Sequence, residues 1–193
     1  MTESELLRYD RQLRFTPLGE AGQARLKEAR VLIAGLGGLG GPAAVYLASA
    51  GVGTLTVTDT DRVDPTNLNR QILYSEEDIG REKAPVAAEK LRKVNPHTHI
   101  EPVQDTLVPE NAGHLVTSVD VVIDALDNME TRLVLNSACV SHHIPLIHGG
   151  INGLRGEVMT ILPFQSACLA CVHRAVRPGR RTLPIIGATA GLT

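Results

Sequence analysis

Three glycines have the spacing found in many nucleotide-binding loops. Gly35, Gly37 and Gly40 form the pattern G-x-G-x-x-G directly after a short apolar run. In such a loop the first glycine allows a tight turn, the second lets a phosphate approach the backbone, and the third lets the next helix pack closely. The free N–H groups and the dipole at that helix's amino end favour an anion. The spacing therefore predicts a phosphate site here.

An acidic residue follows where a ribose acceptor is expected. Asp59 comes after the predicted strand 54–58, about 20 positions beyond the last glycine of the motif. A carboxylate there can accept hydrogen bonds from ribose hydroxyls. The glycine motif alone is weak evidence, whereas the order strand, glycine loop, helix, strand and acid predicts a nucleotide site.

Two further polar stretches follow predicted strands and are candidates to complete that site. The first is the loop 59–71, and the second is 124–128. Arg70 and Lys83 can neutralise a triphosphate, and Asp127 can hold Mg²⁺ because this ion binds through one or two carboxylates plus phosphates. Asp61 is either a turn former or a site residue. There is no P-loop, so side chains and the glycine loop must hold the phosphates.

These residues require a scaffold of alternating strands and helices. Apolar patterns predict strands over 31–34, 54–58, 99–103, 119–125, 144–148 and 157–162. Helices are predicted over 3–14, 19–29, 42–50, 81–94, 109–117 and 129–142. The alternation predicts an α/β, Rossmann-like, doubly wound and mainly parallel sheet. We expect a single domain over 1–193 with an N-terminal helical arm over 1–28.

Composition excludes several classes of protein. The 193 residues are 43% hydrophobic and 21% charged, with a net charge of −2 and only 3% aromatic residues. These values indicate a globular protein without bulk attraction to nucleic acid or anionic lipid. No signal peptide or membrane span is apparent, so we expect a cytoplasmic protein. Cys168 and Cys171 then indicate metal or redox chemistry rather than a disulfide.

In these residues the chain resembles the ThiF/MoeB/HesA family, relatives of the ubiquitin-activating enzymes. The resemblance covers nearly the whole chain, in Arg-Tyr-Asp-Arg-Gln at 8–12, the glycine loop at 35–40, Ala-Ser-Ala-Gly-Val-Gly at 48–53, Asn-Leu-Asn-Arg-Gln at 67–71, Lys83, 124–128 and the pair Cys168/Cys171. The segments 70–73 and 127–132 look slightly nearer to ThiF than to MoeB.

The resemblance implies an ATP-dependent adenylyltransferase. Its substrate would be a small ubiquitin-like sulfur-carrier protein ending in Gly-Gly, whose carboxylate is adenylated with release of pyrophosphate. Carried over by motif, the catalytic residues are Arg70, Lys83, Asp127 and Arg11, and Arg11 reaches into a partner subunit's site, which implies a homodimer. The nucleotide-binding residues are Gly35, Gly37, Gly38, Gly40, Asp59, Asp61, Asn67, Arg70, Gln71, Lys83, Asp127 and Asn128. Asp127 would hold Mg²⁺, while Cys168 and Cys171 would bind Zn²⁺.

The chain departs from the family pattern in its cysteines and at its end. The family's zinc site uses two C-x-x-C pairs, whereas only Cys168/Cys171 occurs here, leaving a tetrahedral Zn²⁺ two ligands short. No cysteine follows Cys171, which puts covalent sulfur chemistry in doubt but not adenylation. Residues 185–191 resemble the opening of a family helix, so we expect the C-terminal part of the family fold to be missing.

Other interpretations remain open. The glycine motif with Asp59 also fits an NAD(P)-dependent oxidoreductase, and a catalytically silent scaffold for a ubiquitin-like protein is a third possibility. Asp127 alone could cap the helix that begins at Met129. Asp124 is expected to be structural, Cys139 to be inert core, and the histidines at 142, 143 and 148 to be packing or surface residues.

Overall fold

A six-stranded sheet forms the centre of the computed structural model, which describes residues 1–173. The strands are β1 (Arg30–Ala34), β2 (Thr54–Thr58), β3 (His99–Val103), β4 (Val121–Asp124), β5 (Leu146–Asn152) and β6 (Arg155–Ile161). Their order is β3-β2-β1-β4-β5-β6; all neighbours are parallel except β5 and β6, which are antiparallel. The predicted α/β, mainly parallel fold is confirmed.

Helices connect the strands, as the alternation predicted. They are α1 (Glu3–Arg8), α2 (Asp10–Leu13), α3 (Gly19–Glu28), α4 (Gly40–Ala50), α5 (Lys83–Val94), α6 (Pro109–Thr117), α7 (Met129–Ser141) and α8 (Leu169–Val172). The single helix predicted over 3–14 is divided at Tyr9. Within residues 1–173, none of the helices combines the length and apolarity needed to cross a bilayer.

The β5–β6 hairpin is the main departure from the predicted boundaries. β5 was expected to end at His148 but runs on to Asn152. Two adjacent glycines, 149 and 150, are typical of the end of a strand, but here they lie within β5. A side chain at Gly150 would come within 2.8 Å of Glu157 Oε1, so the glycine allows close packing across the hairpin.

Both faces of the sheet carry a core, because buried parallel strands are apolar on both sides. In β1, Val31 and Ile33 pack into one cluster, which also contains residues of α4 and α5. Leu32 and Ala34 point the other way and pack with residues of α6 and α7. The carboxyl ends of β1, β2 and β4 consequently meet at one edge of the sheet, where ligands of open α/β folds bind.

Candidate active site

The glycine loop joins β1 to α4, and two of its glycines are required by contacts within the protein. Gly35 has φ of 90°, and a Cβ there would lie 2.6 Å from the carbonyl oxygen of Ala125. A Cβ at Gly40 would lie 1.8 Å from the carbonyl oxygen of Gly35. At Gly37 the nearest atom is 3.6 Å away, on Gln71. No close contact among the described residues therefore requires a glycine at position 37.

Asp59 links the glycine loop to the loop after β2. Its Oδ2 accepts the N–H of Leu36 at 2.8 Å, and its Oδ1 accepts the N–H of Asp61 at 2.9 Å. Each carboxylate oxygen can accept a second hydrogen bond, so capacity remains for ribose hydroxyls. Burial raises the pKa of Asp59 above its usual value, although the nearby ammonium of Lys83 and the two N–H groups oppose this shift.

Lys83 is held at the same place by two carboxylates. Its side chain is only 5% exposed, and Nζ lies 2.9 Å from Asp61 Oδ2 and 4.0 Å from Asp59 Oδ1. Its backbone N–H also donates to the carbonyl oxygen of Asp61. Lys83 and Asp61 therefore both belong to the edge where the nucleotide is predicted, and Asp61 is more than a turn former.

The polar side chains of the loop 64–71 differ in whether they have hydrogen-bond partners in the described part of the chain. Asn67 Oδ1 accepts the N–H of Asp64 at 3.1 Å and closes a 3-10 turn, Pro65–Asn67. The guanidinium of Arg70 donates to backbone and amide oxygens of its own loop and, within residues 1–173, pairs with no carboxylate. Gln71 is 5% exposed, yet its Oε1 has no hydrogen-bond partner among the described residues. The atom of Gln71 nearest to Gly37 is Nε2, and the atom without a partner is Oε1. An unpaired buried acceptor is costly, so a ligand group that donates a hydrogen bond to Oε1 would stabilise it.

Asp127 lies in the loop between β4 and α7, which contacts the glycine loop. The N–H of Ala125 donates to the carbonyl oxygen of Ala34 at 2.8 Å. Asp124 Oδ1 accepts the N–H of Leu126 at 3.0 Å, while the guanidinium of Arg132 donates to the carbonyl oxygen of Leu126. Asp127 itself is exposed. The loop is thus fixed from both sides and presents an exposed carboxylate.

The interpretation of Asp127 as a helix cap is wrong. The N-cap of α7 is Asn128, whose Oδ1 accepts the N–H of Thr131 at 2.9 Å. Asp and Asn are both good caps, so the sequence could not decide between adjacent positions. The cap function of Asn128 accounts for its side chain without a nucleotide, whereas Asp127 has no structural partner within residues 1–173.

Sequence reasoning missed the environment of His148, which is buried on β5 and not at the surface. Its Nδ1 lies 2.6 Å from Asp124 Oδ2 and its Nε2 lies 3.2 Å from Glu157 Oε1. Burial works against protonation, but hydrogen bonds to the two carboxylates outweigh it and raise the pKa of His148. Part of this was predictable, because a histidine within an apolar strand needs a buried polar partner. Only the strand pairing identifies that partner as Asp124 on β4.

The cysteine pair stands at the start of α8. The Sγ atoms of Cys168 and Cys171 are 3.7 Å apart, which matches the separation of about 3.75 Å between two thiolates on one tetrahedral Zn²⁺. Burial opposes ionisation of Cys168, but hydrogen bonds from the Cys171 N–H and the Asn136 side chain prevail and lower the pKa of the thiol. Among residues 1–173 no third His, Cys, Asp or Glu joins both thiols in a metal-sized cluster. Cys139 is buried as expected, and burial raises its pKa to about 12.

Arg11 does not reach the site assembled in its own chain. Its neighbour Gln12 donates to the carbonyl oxygen of Ala50, and Tyr9 binds Asn95, so the arm packs at the ends of α4 and α5. Those ends lie at the amino edge of the sheet, one strand length, or about 16 Å, from the glycine loop. The structure therefore brings the predicted residues of the glycine loop and of loops 59–71 and 124–128 to one edge, with Lys83, but leaves Arg11 at the other.

A parallel sheet with a glycine loop after its central strand and an acid after the next defines an α/β nucleotide-binding domain. The sequence pattern of the ThiF family matches residues 9–192, and the chain belongs to that family. It is 39% identical over 196 aligned residues to the "Sulfur carrier protein ThiS adenylyltransferase" of Escherichia coli, covering 100% of this chain and 78% of that one. It is 41% identical to the "SAMP-activating enzyme E1" of Haloferax volcanii, covering 96% of this chain and 68% of that one.

Solved structures agree with this assignment. The Escherichia coli tRNA N6-threonylcarbamoyladenosine dehydratase TcdA in complex with ATP has a TM-score of 0.74 and 33% identity over 79% of this chain. Escherichia coli MccB with AMPCPP and MccA has a TM-score of 0.77 and 29% identity over 86% of this chain. The chain spans 63% and 51% of those two structures, respectively.

Proposed function

We propose that this chain adenylates the C-terminal carboxylate of a small ubiquitin-like sulfur-carrier protein, using ATP and releasing pyrophosphate. One observation carries the proposal: the glycine loop and the loop bearing Asp127 touch each other, through Gly35 and Ala125, at the edge where Lys83 is buried. The similarity to the ThiS adenylyltransferase of Escherichia coli supports this choice of reaction. A carrier that ends in Gly-Gly is the specific substrate we expect.

The reaction requires little of the protein beyond positioning and charge. A carboxylate oxygen of the carrier attacks the α-phosphorus of ATP, the bond from that phosphorus to the bridging oxygen breaks, and pyrophosphate leaves with the electron pair. The carrier carboxylate is already ionised at neutral pH, so no base is needed. Asp59 would orient the ribose, while Arg70 and Lys83 would stabilise the charge that grows on the phosphate oxygens.

Asp127 is the residue that we expect to hold Mg²⁺. It is exposed, it has no partner within residues 1–173, and its loop is fixed by Asp124 and Arg132. When bound, Mg²⁺ would stabilise negative charge on the phosphate oxygens. For Zn²⁺, the separation of Cys168 and Cys171 fits two ligand positions; donors from outside residues 1–173 would have to complete a site there.

A homodimer would supply Arg11. Because the arm packs at the amino edge of its own sheet, Arg11 can complete only a neighbouring chain's site. Mixing Arg11→Ala chains with Asp127→Ala chains should then restore up to a quarter of the activity. Half of the randomly formed dimers contain one chain of each kind, and one of the two sites in such a dimer has both Arg11 and Asp127 intact. Mixed dimers that form and remain inactive would contradict a shared site.

Mass spectrometry of the carrier tests the reaction itself. With ATP, Mg²⁺ and a Gly-Gly carrier, the account expects a carrier that has gained one adenylyl group, and a carrier with its last glycine deleted serves as the control. A silent scaffold would bind the carrier without modifying it. An NAD(P)-dependent oxidoreductase would instead show tight binding of NAD and no binding of ATP in calorimetry, and that result would overturn the proposal.

A further inference from the structure

Three donor atoms outside the predicted nucleotide site point toward one another. They are Nε2 of His148 on β5, Oε1 of Glu157 on β6 and Nε2 of His173, the C-cap of α8. Ligand atoms of these three residues lie within 4.8 Å of each other. Glu157 Oε1 is 3.2 Å from His148 Nε2 and 4.0 Å from His173 Nε2. Nothing in the adenylation reaction uses them.

Either a proton or a metal ion must lie between Nε2 of His148 and the carboxylate of Glu157. Asp124 Oδ2 lies 2.6 Å from Nδ1, and since a carboxylate only accepts, Nδ1 must carry the proton. A neutral His148 then turns the lone pair of Nε2 toward Glu157, which is also an acceptor. A second proton on His148 would satisfy this pair but would leave His173 unused, whereas a metal ion would satisfy all three donors.

The charges around the three donors also favour a cation. Asp124 and Glu157 each contribute a negative charge, while Arg132 contributes a positive one, with Nε 3.8 Å from Asp124. The surroundings therefore carry a net negative charge when His148 is neutral. Asp124 is fully buried and holds the far nitrogen of His148, an arrangement that typically orients a metal-binding histidine.

The distances are close to those of a zinc site. A tetrahedral Zn²⁺ with bonds of 2.0–2.1 Å separates its ligand atoms by about 3.4 Å. The observed 3.2 Å already fits. The 4.0 Å span from Glu157 to His173 and the pair His148/His173, which lies within 4.8 Å, would both have to shorten by a movement of His173, whose side chain is 22% exposed. Two histidines and one carboxylate form a common ligand set for Zn²⁺ and leave a fourth position for water.

We propose that His148, Glu157 and His173 bind a divalent transition-metal ion of the zinc type, with Asp124 as a positioning residue. The ion would attach the end of α8 to the β5–β6 hairpin. This site differs from the cysteine pair: Cys168 and Cys171 are not members of the cluster that the described residues form. It also differs from the Mg²⁺ that Asp127 is expected to hold.

Cobalt(II) distinguishes the two sites, because thiolate ligands give a near-ultraviolet charge-transfer band and imidazole and carboxylate ligands do not. In the 193-residue chain carrying Cys168→Ser and Cys171→Ser, we expect one bound cobalt per chain, a visible d–d spectrum and no thiolate band. Glu157→Gln or His173→Gln in this background should weaken cobalt binding at least tenfold. The matched controls Glu110→Gln and His114→Gln, at exposed positions on α6, should not change it.

Zinc should raise the thermal midpoint of the cysteine-free chain by about 5 °C or more at a hundredfold excess over its dissociation constant. Glu157→Gln should abolish that rise, and Asp124→Asn should weaken binding by about 10- to 100-fold. The proposal is overturned if the cysteine-free chain binds no cobalt, or if it binds cobalt equally well with Glu157→Gln and His173→Gln. If that chain does not fold, the unmodified chain decides: a single cobalt with a thiolate band, unaffected by Glu157→Gln, also overturns it.

Discussion

Glu5 in the N-terminal arm and Asp59 beside the glycine loop are both largely buried carboxylates, but their pKa values move in opposite directions. Their side chains are 3% and 10% exposed. A hydrogen bond from Lys27, helped by the N–H of Thr2, lowers the pKa of Glu5 to about 2. At Asp59 the effect of burial exceeds that of Lys83 and raises the pKa. The cost of burying the Glu5 carboxylate is fully offset by its partners. The cost of burying Asp59, in the crevice between the glycine loop and the loops 59–71 and 124–128, is not.

Two buried amides repeat this difference. Asn95 donates to Tyr9 Oη at 2.8 Å and to the Ala48 carbonyl oxygen at 2.6 Å, and accepts the N–H of His97 at 3.1 Å. Gln71, at the other edge of the sheet, leaves its Oε1 without a partner among the described residues. Polar groups that satisfy one another hold a structure together, while unpaired ones are retained where a ligand completes them. We therefore expect substitutions in the arm to affect stability and substitutions around Asp59 and Gln71 to affect ligand binding.

The largest effect should come from the exposed carboxylate of the crevice. Asp127→Asn should lower the rate of adenylation about a hundredfold or more, because it removes the proposed ligand of a Mg²⁺ ion that would stabilise the transition state. Stability should hardly change, since Asn128 and not Asp127 caps α7. Steady-state rates at saturating ATP measure the loss.

Asp120→Asn is the matched control for this variant. Its exposed carboxylate accepts the N–H of Arg30 at the amino edge, and an amide oxygen can replace that acceptor. The control should keep the wild-type rate. Equal rates for Asp127→Asn and Asp120→Asn would remove Asp127 from the site.

Exchanging the two buried amides for leucine should separate binding from stability. Asn95→Leu breaks three hydrogen bonds in a closed space and should cost about 3 kcal/mol of unfolding free energy in urea titrations. Gln71→Leu removes an amide whose Oε1 has no partner among the described residues, so the cost should stay below about 1 kcal/mol, while the dissociation constant for ATP rises about tenfold. If Gln71→Leu costs as much stability as Asn95→Leu and leaves ATP binding unchanged, the proposed division between a stabilising amino edge and a ligand-binding carboxyl edge of the sheet is wrong.

The next prediction concerns stability in acid. Because the pKa of Glu5 is about 2 when folded and near 4.5 when unfolded, its stabilisation is complete above pH 4.5 and is lost as the pH falls toward 2. Glu5→Gln should therefore be less stable at neutral pH but lose less stability across that window. Glu3→Gln, an exposed change on the same helix, should follow the wild-type curve. Parallel acid curves for Glu5→Gln and the wild type would show that Glu5 is not responsible.

The sequence predicted the fold well because each strand, glycine and cap signal is local. The strands 54–58 and 99–103 are confirmed at their predicted bounds, and Gly35 and Gly40 have the predicted turn and packing functions. The hairpin of β5 and β6 was placed less well, because its register depends on pairing across the sheet edge and not on a local pattern.

The site was predictable where a motif stands next to a strand end, and less so where contacts are long-range. The region of Asp59, Lys83 and the glycine loop followed from the order of elements. The pairing of His148 with Asp124 and Glu157 could not be located from spacing, since it joins three strands. Likewise, only the geometry after β4 identifies Asn128 as the cap of α7 and shows Asp127 to be exposed.

Exchange of labelled pyrophosphate into ATP tests the central claim most directly, because it reports reversible formation of an acyl adenylate. We predict that the wild-type chain catalyses this exchange with Mg²⁺ and that a Gly-Gly carrier strongly stimulates it. Asp127→Asn should lose the exchange activity, and Asp120→Asn should keep it. Exchange that the carrier does not stimulate, or no exchange by a folded dimeric chain that binds the carrier, would contradict it.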